Sequence, residues 1–208
     1  VGCVVTFSTK CEFYPNGTVL AKALDNRIGC LTLIQAIKKL APELKNTMIC
    51  GIFTAQEEIG AKGAAVAAFD YRPDMMVSLD TAPVQNNEDI MPGEVNLTKG
   101  PVIRLMDWHP STKLGMVSHK SISNRMREVA KQKEIPHQVD VLTSTFLDSS
   151  TAHLTGPGIP GGSICFPRRY SHTGVEMSNL YDISSAILLL VEFLRSIDQK
   201  PILFGKEY

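Results

Sequence analysis

Four carboxylates and one imidazole are placed along this sequence where they could hold a metal ion and move a proton. Asp25 follows the apolar run Val19 to Leu24. Glu57 and Glu58 follow Met48 to Thr54, and Asp80 follows Met75 to Leu79. Ligand-handling residues of open α/β folds gather at the carboxyl ends of strands, so these acids could share one sheet edge. Two adjacent glutamates leaving an apolar strand would call for a cation if partly buried, and a divalent metal is the simplest one. His172 lies in Arg169-Tyr170-Ser171-His172-Thr173-Gly174, a loop before the last helical stretch. Carboxylates plus imidazole form a donor set suited to zinc, cobalt or manganese.

Each residue also has a plainer explanation. Asp25 could cap the helix that begins near Arg27. Thr54-Ala55-Gln56-Glu57 matches a capping box. Asp80 could open a turn at Asp80-Thr81-Ala82-Pro83. His172 could be a solvated loop histidine.

The elements that must position these groups alternate between strand-like and helical patterns. Strands are predicted at Val19 to Leu24, Met48 to Thr54, Met75 to Leu79, Val102 to Met106, Val139 to Leu142 and Ser163 to Phe166. Met48 to Thr54 reads as covered on both faces, because its apolar run is continuous. Helices are predicted at Arg27 to Leu40, Ala61 to Phe69, Ser121 to Gln132 and Leu180 to Ile197. The alternation argues for an α/β fold, a mixed, mostly parallel sheet sandwiched between helices. Ala82 to Gly100 is polar and rich in turn formers, hence a loop or edge excursion. Residues 1–18 do not join the pattern and read as the tail of another domain; residues 19–208 form the main one.

Composition excludes several classes. Lysine plus arginine equals aspartate plus glutamate, 21 each among 208 residues, so no net field draws the chain to nucleic acid or an anionic membrane. The longest apolar run, Ala186 to Val191, is far short of the ~20 residues a membrane span needs. The five cysteines are odd in number, with no C-x-x-C pair, which points to reduced thiols and a cytoplasmic location. Cys30, Cys50 and Cys165 lie in apolar runs and are expected to pack as small hydrophobes. Gly162-Ser163-Ile164-Cys165 is not a G-x-S-x-G elbow. The proline-interrupted run Gly156 to Gly162 is a turn rather than a phosphate loop.

Four segments together resemble the M42 family of metallopeptidases, the glutamyl and leucyl aminopeptidases of the tetrahedral-particle type, some of which carry an endoglucanase label. They are Ala23-Leu24-Asp25-Asn26-Arg27-Ile28-Gly29-Cys30, Thr54-Ala55-Gln56-Glu57-Glu58-Ile59-Gly60-Ala61-Lys62-Gly63-Ala64, Ser78-Leu79-Asp80 and Arg169-Tyr170-Ser171-His172. Order and spacing agree from about Val19 to about Leu194. Gly100-Pro101-Val102-Ile103-Arg104 and Asp148 also look like family positions. The Q-E-E-x-G-x-x-G-A element is the distinctive one; D-N-R alone is common.

The resemblance implies a zinc-dependent exopeptidase-like fold that hydrolyses N-terminal residues of peptides. It implies two divalent metal ions, zinc or cobalt first and manganese next, with Asp25 bridging them. Glu58 and His172 would be terminal ligands of one ion, and Asp80 of the other. Glu57 would be the general base acting on a bridging water, and the Asp25-Asn26 peptide bond would be cis. It also implies a large homo-oligomer. The family's N-terminal His-x-Asp element does not occur here, so the second metal site is incomplete and the chain looks like the C-terminal catalytic part. His109, His119, His137 and His153 lie outside the family's ligand context. An alternative is a catalytically incompetent assembly or binding fragment. A glycosidase, as the endoglucanase label suggests, fits less well: it needs two carboxyl groups ~5–10 Å apart and no metal.

Overall fold

The computed structural model describes residues 1–84 and 95–204. The chain runs β1 (Glu12–Phe13), β2 (Thr18–Ala21), α1 (Leu24–Leu40), α2 (Lys62–Tyr71), β3 (Met76–Pro83), β4 (Val102–His109) and β5 (Leu114–Val117). It continues through α3 (Lys120–Gln132), β6 (Gln138–Leu142), α4 (Ser149–Ala152), β7 (Gly161–Arg168), β8 (Glu176–Asn179) and α5 (Leu180–Gln199).

The main sheet is mixed. Its path is β3-β7-β4-β5, and β6 pairs with β4. The β3/β7 and β4/β6 pairs are parallel, whereas β4 runs antiparallel to β5 and β7. A second sheet, β1-β2-β8, is antiparallel and lies beside the loops that carry the site. Every residue of β7 is buried, as befits a strand covered on both faces.

Helices cover both faces of the main sheet. On one, α1, α3 and α5 pack Ile28, Leu40, Ile122, Met126, Leu189 and Phe193 against Ile103, Ile164 and Phe166. On the other, Ala64 and Ala68 of α2 meet Ala152 of α4 and Ile159. The small side chains of α2 allow that close approach.

Several expectations are corrected. Met48 to Thr54 joins no ladder with a described strand, and Met48 and Phe53 are exposed. An apolar run supplies strand propensity, but a strand needs a hydrogen-bonded neighbour. Only one side of this segment is packed: Ile49 adjoins the α1/α5 core, and Gly51 lies so close to Ile37 that a Cβ there would clash. Cys30 and Cys50 are exposed, because each faces away from the core, while Cys165 is buried; all five thiols are free. β3 extends past Leu79 to Pro83, so Asp80 lies within a strand and not in a turn after it. Of the loop expected at Ala82 to Gly100, residues 85–94 lie outside the described residues. Among the described residues, no helix is long and apolar enough to cross a membrane.

Candidate metal centre

Asp25 sits where β2 passes into α1, and its backbone is not helical. Asn26 does the capping that Asp25 was expected to do: its Oδ1 accepts from Gly29 N–H at 3.1 Å, while its Nδ2 donates to the Leu79 carbonyl. The Asp25 carboxylate is thereby left for other partners. The Asp25-Asn26 peptide bond is cis.

Glu57 and Glu58 occupy a turn before α2, closed by N–H groups of Gly60 and Ala61 donating to the Glu57 carbonyl. The capping box is not realised. Thr54 donates its hydroxyl to Asp148, and Ala61, without a side-chain bond, stands at the start of α2.

His172 follows β7 in the turn leading to β8. Its Nε2 lies 3.2 Å from Asp25 Oδ2 and 3.6 Å from Glu58 Oε2. Ligand atoms of Asp25, Glu58 and His172 all lie within 4.8 Å of one another, a spacing that suits three donors around one ion. Ala23, Gln56, Tyr170 and His172 have positive φ values of 53°, 64°, 59° and 56°. Non-glycine residues held there cost on the order of 1–3 kcal/mol each and gather at functional sites. Each of these four is a ligand candidate or lies within two residues of one; Arg72, Thr98, Lys113 and Glu134 share the conformation elsewhere in the chain.

Asp80 is buried in β3, with its Oδ1 accepting the Thr81 N–H at 2.6 Å. Burial, then the Asp25 carboxylate, push its pKa well above the ordinary 3.8. Glu57 is pushed up to about 9, first by burial and then by Asp80, Glu58, Asp148 and Asp25. Glu57 is thus in electrostatic reach of the other three predicted acids and of Asp148, while Asp80 and Glu57 stay outside the three-donor cluster. Asp148 itself is raised by burial, and its Oδ1 has no partner among the described residues.

Arg168 reaches Asp25, but burial and like charge dominate at Glu57 and Asp80, and that has a measurable consequence. Glu57 and Asp80 hold protons in the folded chain at pH values where the unfolded chain has released them. Raised folded pKa values mean that stability falls as pH rises, here from about 4 to about 9. The metal-free chain should therefore melt at a lower temperature at pH 8 than at pH 5. A saturating divalent ion should raise the melting temperature more at the higher pH, since it binds ionised carboxylates. Thermal denaturation with and without cobalt(II) checks both signs.

The spare histidines have other employment. His119 caps α3, accepting from Ser121 N–H; His109 accepts from Thr112 N–H; ring nitrogens of His137 and His153 meet the carbonyls of Ile135 and Ser149. None belongs to the metal-ligand cluster found among the described residues.

Two residues not singled out from the sequence adjoin the cluster. Arg168 ends β7 and Glu176 opens β8; both are buried, and they form an ion pair. Their only sequence signal is the spacing of Glu176 four residues beyond His172. An open cleft of about 640 Å³ leads to the site, lined by Phe7, Lys22, Arg27, Glu58, His172 and Glu176 among others.

The family model for M42 glutamyl aminopeptidase matches residues 1–189. The chain belongs to the M42 family. A protein of Acetivibrio thermocellus, whose name marks it as a candidate aminopeptidase, is 39% identical over 84% of this chain and 51% of its own length. The lysyl aminopeptidase of Pyrococcus furiosus is 30% identical, covering 91% of this chain and 55% of itself. The solved TET aminopeptidase of the archaeon Thaumarchaeota archaeon SCGC AB-539-E09 superposes with a TM-score of 0.84 at 26% identity, over 93% of this chain and 54% of that one. The chain thus spans about half the length of these relatives.

Proposed function

We propose that this chain supplies the catalytic face of a metal-dependent aminopeptidase that removes N-terminal residues from peptides. The observation that carries the proposal is the convergence of Asp25, Glu58 and His172 within 4.8 Å, in a chain of the M42 family. The donors fit a divalent ion: two carboxylates and an imidazole, the borderline-to-hard set that zinc, cobalt and manganese accept. Asp25 and Asp80 would share a second ion.

Bound divalent metal would supply Lewis acidity, polarising the scissile carbonyl and acidifying water beside it. Glu57 then takes the proton from the attacking water and returns it to the leaving amine. It must be ionised to do so; burial first, then the neighbouring carboxylates, hold its proton, and cationic charge in the site opposes both. Asp25, Glu58 and His172 bind and orient. Every group given a role here lies between Asp25 and His172, and β1 pairs with β2 just ahead of them. Partner copies of the chain are the natural cover for Met48, Phe53, Val66 and Phe69, which are exposed.

One observation favours a second reading, a fragment that keeps the fold without activity. Arg168 Nη1 lies 3.0 Å from Asp25 Oδ2 and already neutralises the carboxylate assigned to bridging. Metal counting and a peptidase assay separate the two. The aminopeptidase reading expects chelator to abolish hydrolysis of aminoacyl-p-nitroanilides and cobalt or zinc to restore it. Chelator-resistant hydrolysis, or bound metal with no hydrolysis in the natural polypeptide carrying this sequence, would overturn it.

A further inference from the structure

The glutamate four residues beyond His172 holds the backbone of two candidate ligands at once. Glu176 is 2% exposed. Its Oε2 accepts the Asp25 N–H at 3.0 Å, and its Oε1 accepts the His172 N–H at 3.2 Å. The same Oε1 is ion-paired with Arg168. Arg168, 3% exposed, also reaches Asp25 Oδ2 with the nitrogen it gives to Glu176.

This arrangement solves two problems. The His172 side chain is 65% exposed, so packing does not aim it. Its direction depends on a backbone held at positive φ, and the bond from its N–H to Glu176 fixes that backbone against β8. The second problem is the guanidinium. A buried arginine between two carboxylates is divided between them. Removing one leaves the other to take the full charge, and Arg–carboxylate pairs readily become bidentate.

We propose that Glu176 is a positioning residue for the metal site, anchoring the Asp25 and His172 backbones and sharing Arg168 with Asp25, so that the Asp25 carboxylate keeps part of its charge for a cation. The inference rests on the metal reading given above. It goes beyond that reading by assigning a role to an ion pair outside the candidate ligand set. Glu176→Gln keeps the size of the side chain and removes its charge. Arg168 then moves fully onto Asp25 and competes with the metal.

The test compares the unsubstituted chain with Glu176→Gln, the double variant Glu176→Gln/Arg168→Met, and Leu189→Ala. The last variant opens a cavity in the α5 core and controls for general destabilisation. Cobalt(II) affinity is read by chelator competition and the ligand field by absorption, while amide hydrogen exchange is measured on metal-free protein. Glu176→Gln should weaken cobalt binding about 10–100-fold, the range typical of groups that orient metal ligands, and shift the cobalt spectrum. The double variant should regain part of that affinity. Exchange at the Asp25 and His172 amides should quicken about 10–100-fold in Glu176→Gln, the worth of a bond to a charged acceptor, and not selectively in Leu189→Ala. Cobalt affinity within about twofold of the unsubstituted chain overturns the proposal, as does an equal loss in Leu189→Ala. A double variant no tighter than the single one overturns the sharing of Arg168. If the unsubstituted chain binds no cobalt, the metal reading fails, and exchange alone decides whether Glu176 anchors the two backbones.

Discussion

Glu57→Gln should lower peptide turnover about 10²–10⁴-fold in the natural polypeptide that carries this sequence, with its bound-metal count unchanged. Glutamine matches glutamate in size and keeps a hydrogen-bonding oxygen, so the turn at Glu57 to Ala61 survives. It cannot accept a proton from water. The measurement is kcat beside metal stoichiometry on the same preparation. Near-normal turnover would remove Glu57 from the general-base role. A helix-cap role predicts something else, a loss of about 0.5–2 kcal/mol of stability with chemistry untouched. The structure makes the cap outcome harder to reach, since Thr54 is committed to Asp148 and not to a helix amide.

Glu58→Gln and His172→Ala should have the converse signature. Each should weaken one metal site by more than the 10–100-fold that supporting groups typically contribute, because each removes a donor itself. Both side chains are about two-thirds exposed, at 63% and 65%, so little packing is lost with either. Surface substitutions of this kind usually fall within about 0.5 kcal/mol in stability. Calorimetric titration with zinc should therefore show a loss of affinity in protein whose metal-free melting temperature is almost unchanged. Retained affinity in both variants would mean that the ion, if any, sits elsewhere.

Part of the candidate site was legible because Asp25 and His172 follow β2 and β7, whose apolar runs a sequence pattern can locate. Asp25 and His172 lie 147 positions apart in sequence, yet the run before Asp25 and the run before His172 both end beside the same cluster. The plainer explanations failed for local reasons that only side-chain partners reveal. Asn26, the neighbour of Asp25, makes the capping bond, and Asp80 is inside a ladder.

Sequence patterns report what a residue prefers, not what stands opposite it. Met48 to Thr54 has the composition of a central strand and no described strand beside it. β8, Glu176-Met177-Ser178-Asn179, has no apolar run and was not predicted, although it pairs with β2 over four residues. Arg168 and Glu176 escaped for the same reason. A charged residue within Pro167-Arg168-Arg169 reads as surface until a buried carboxylate is found against it. Cys30 and Cys50 show the opposite error, apolar surroundings in sequence that did not become burial in space.

The parallel pairing of β3 with β7 sets Asp80 opposite Cys165 and Pro83 opposite Arg168. Two chemical groups therefore share one ruler, the repeat of a single ladder. Length changes are not equivalent along this part of the chain. One residue added within Gly161–Arg168 would turn the following side chains to the opposite face and carry Arg168 away from Asp25. One residue added at Gly156 or Gly158 falls before the ladder starts and leaves the ruler intact. Chains descended from this one should vary in length on the near side of Gly161 and keep an invariant count from there to His172.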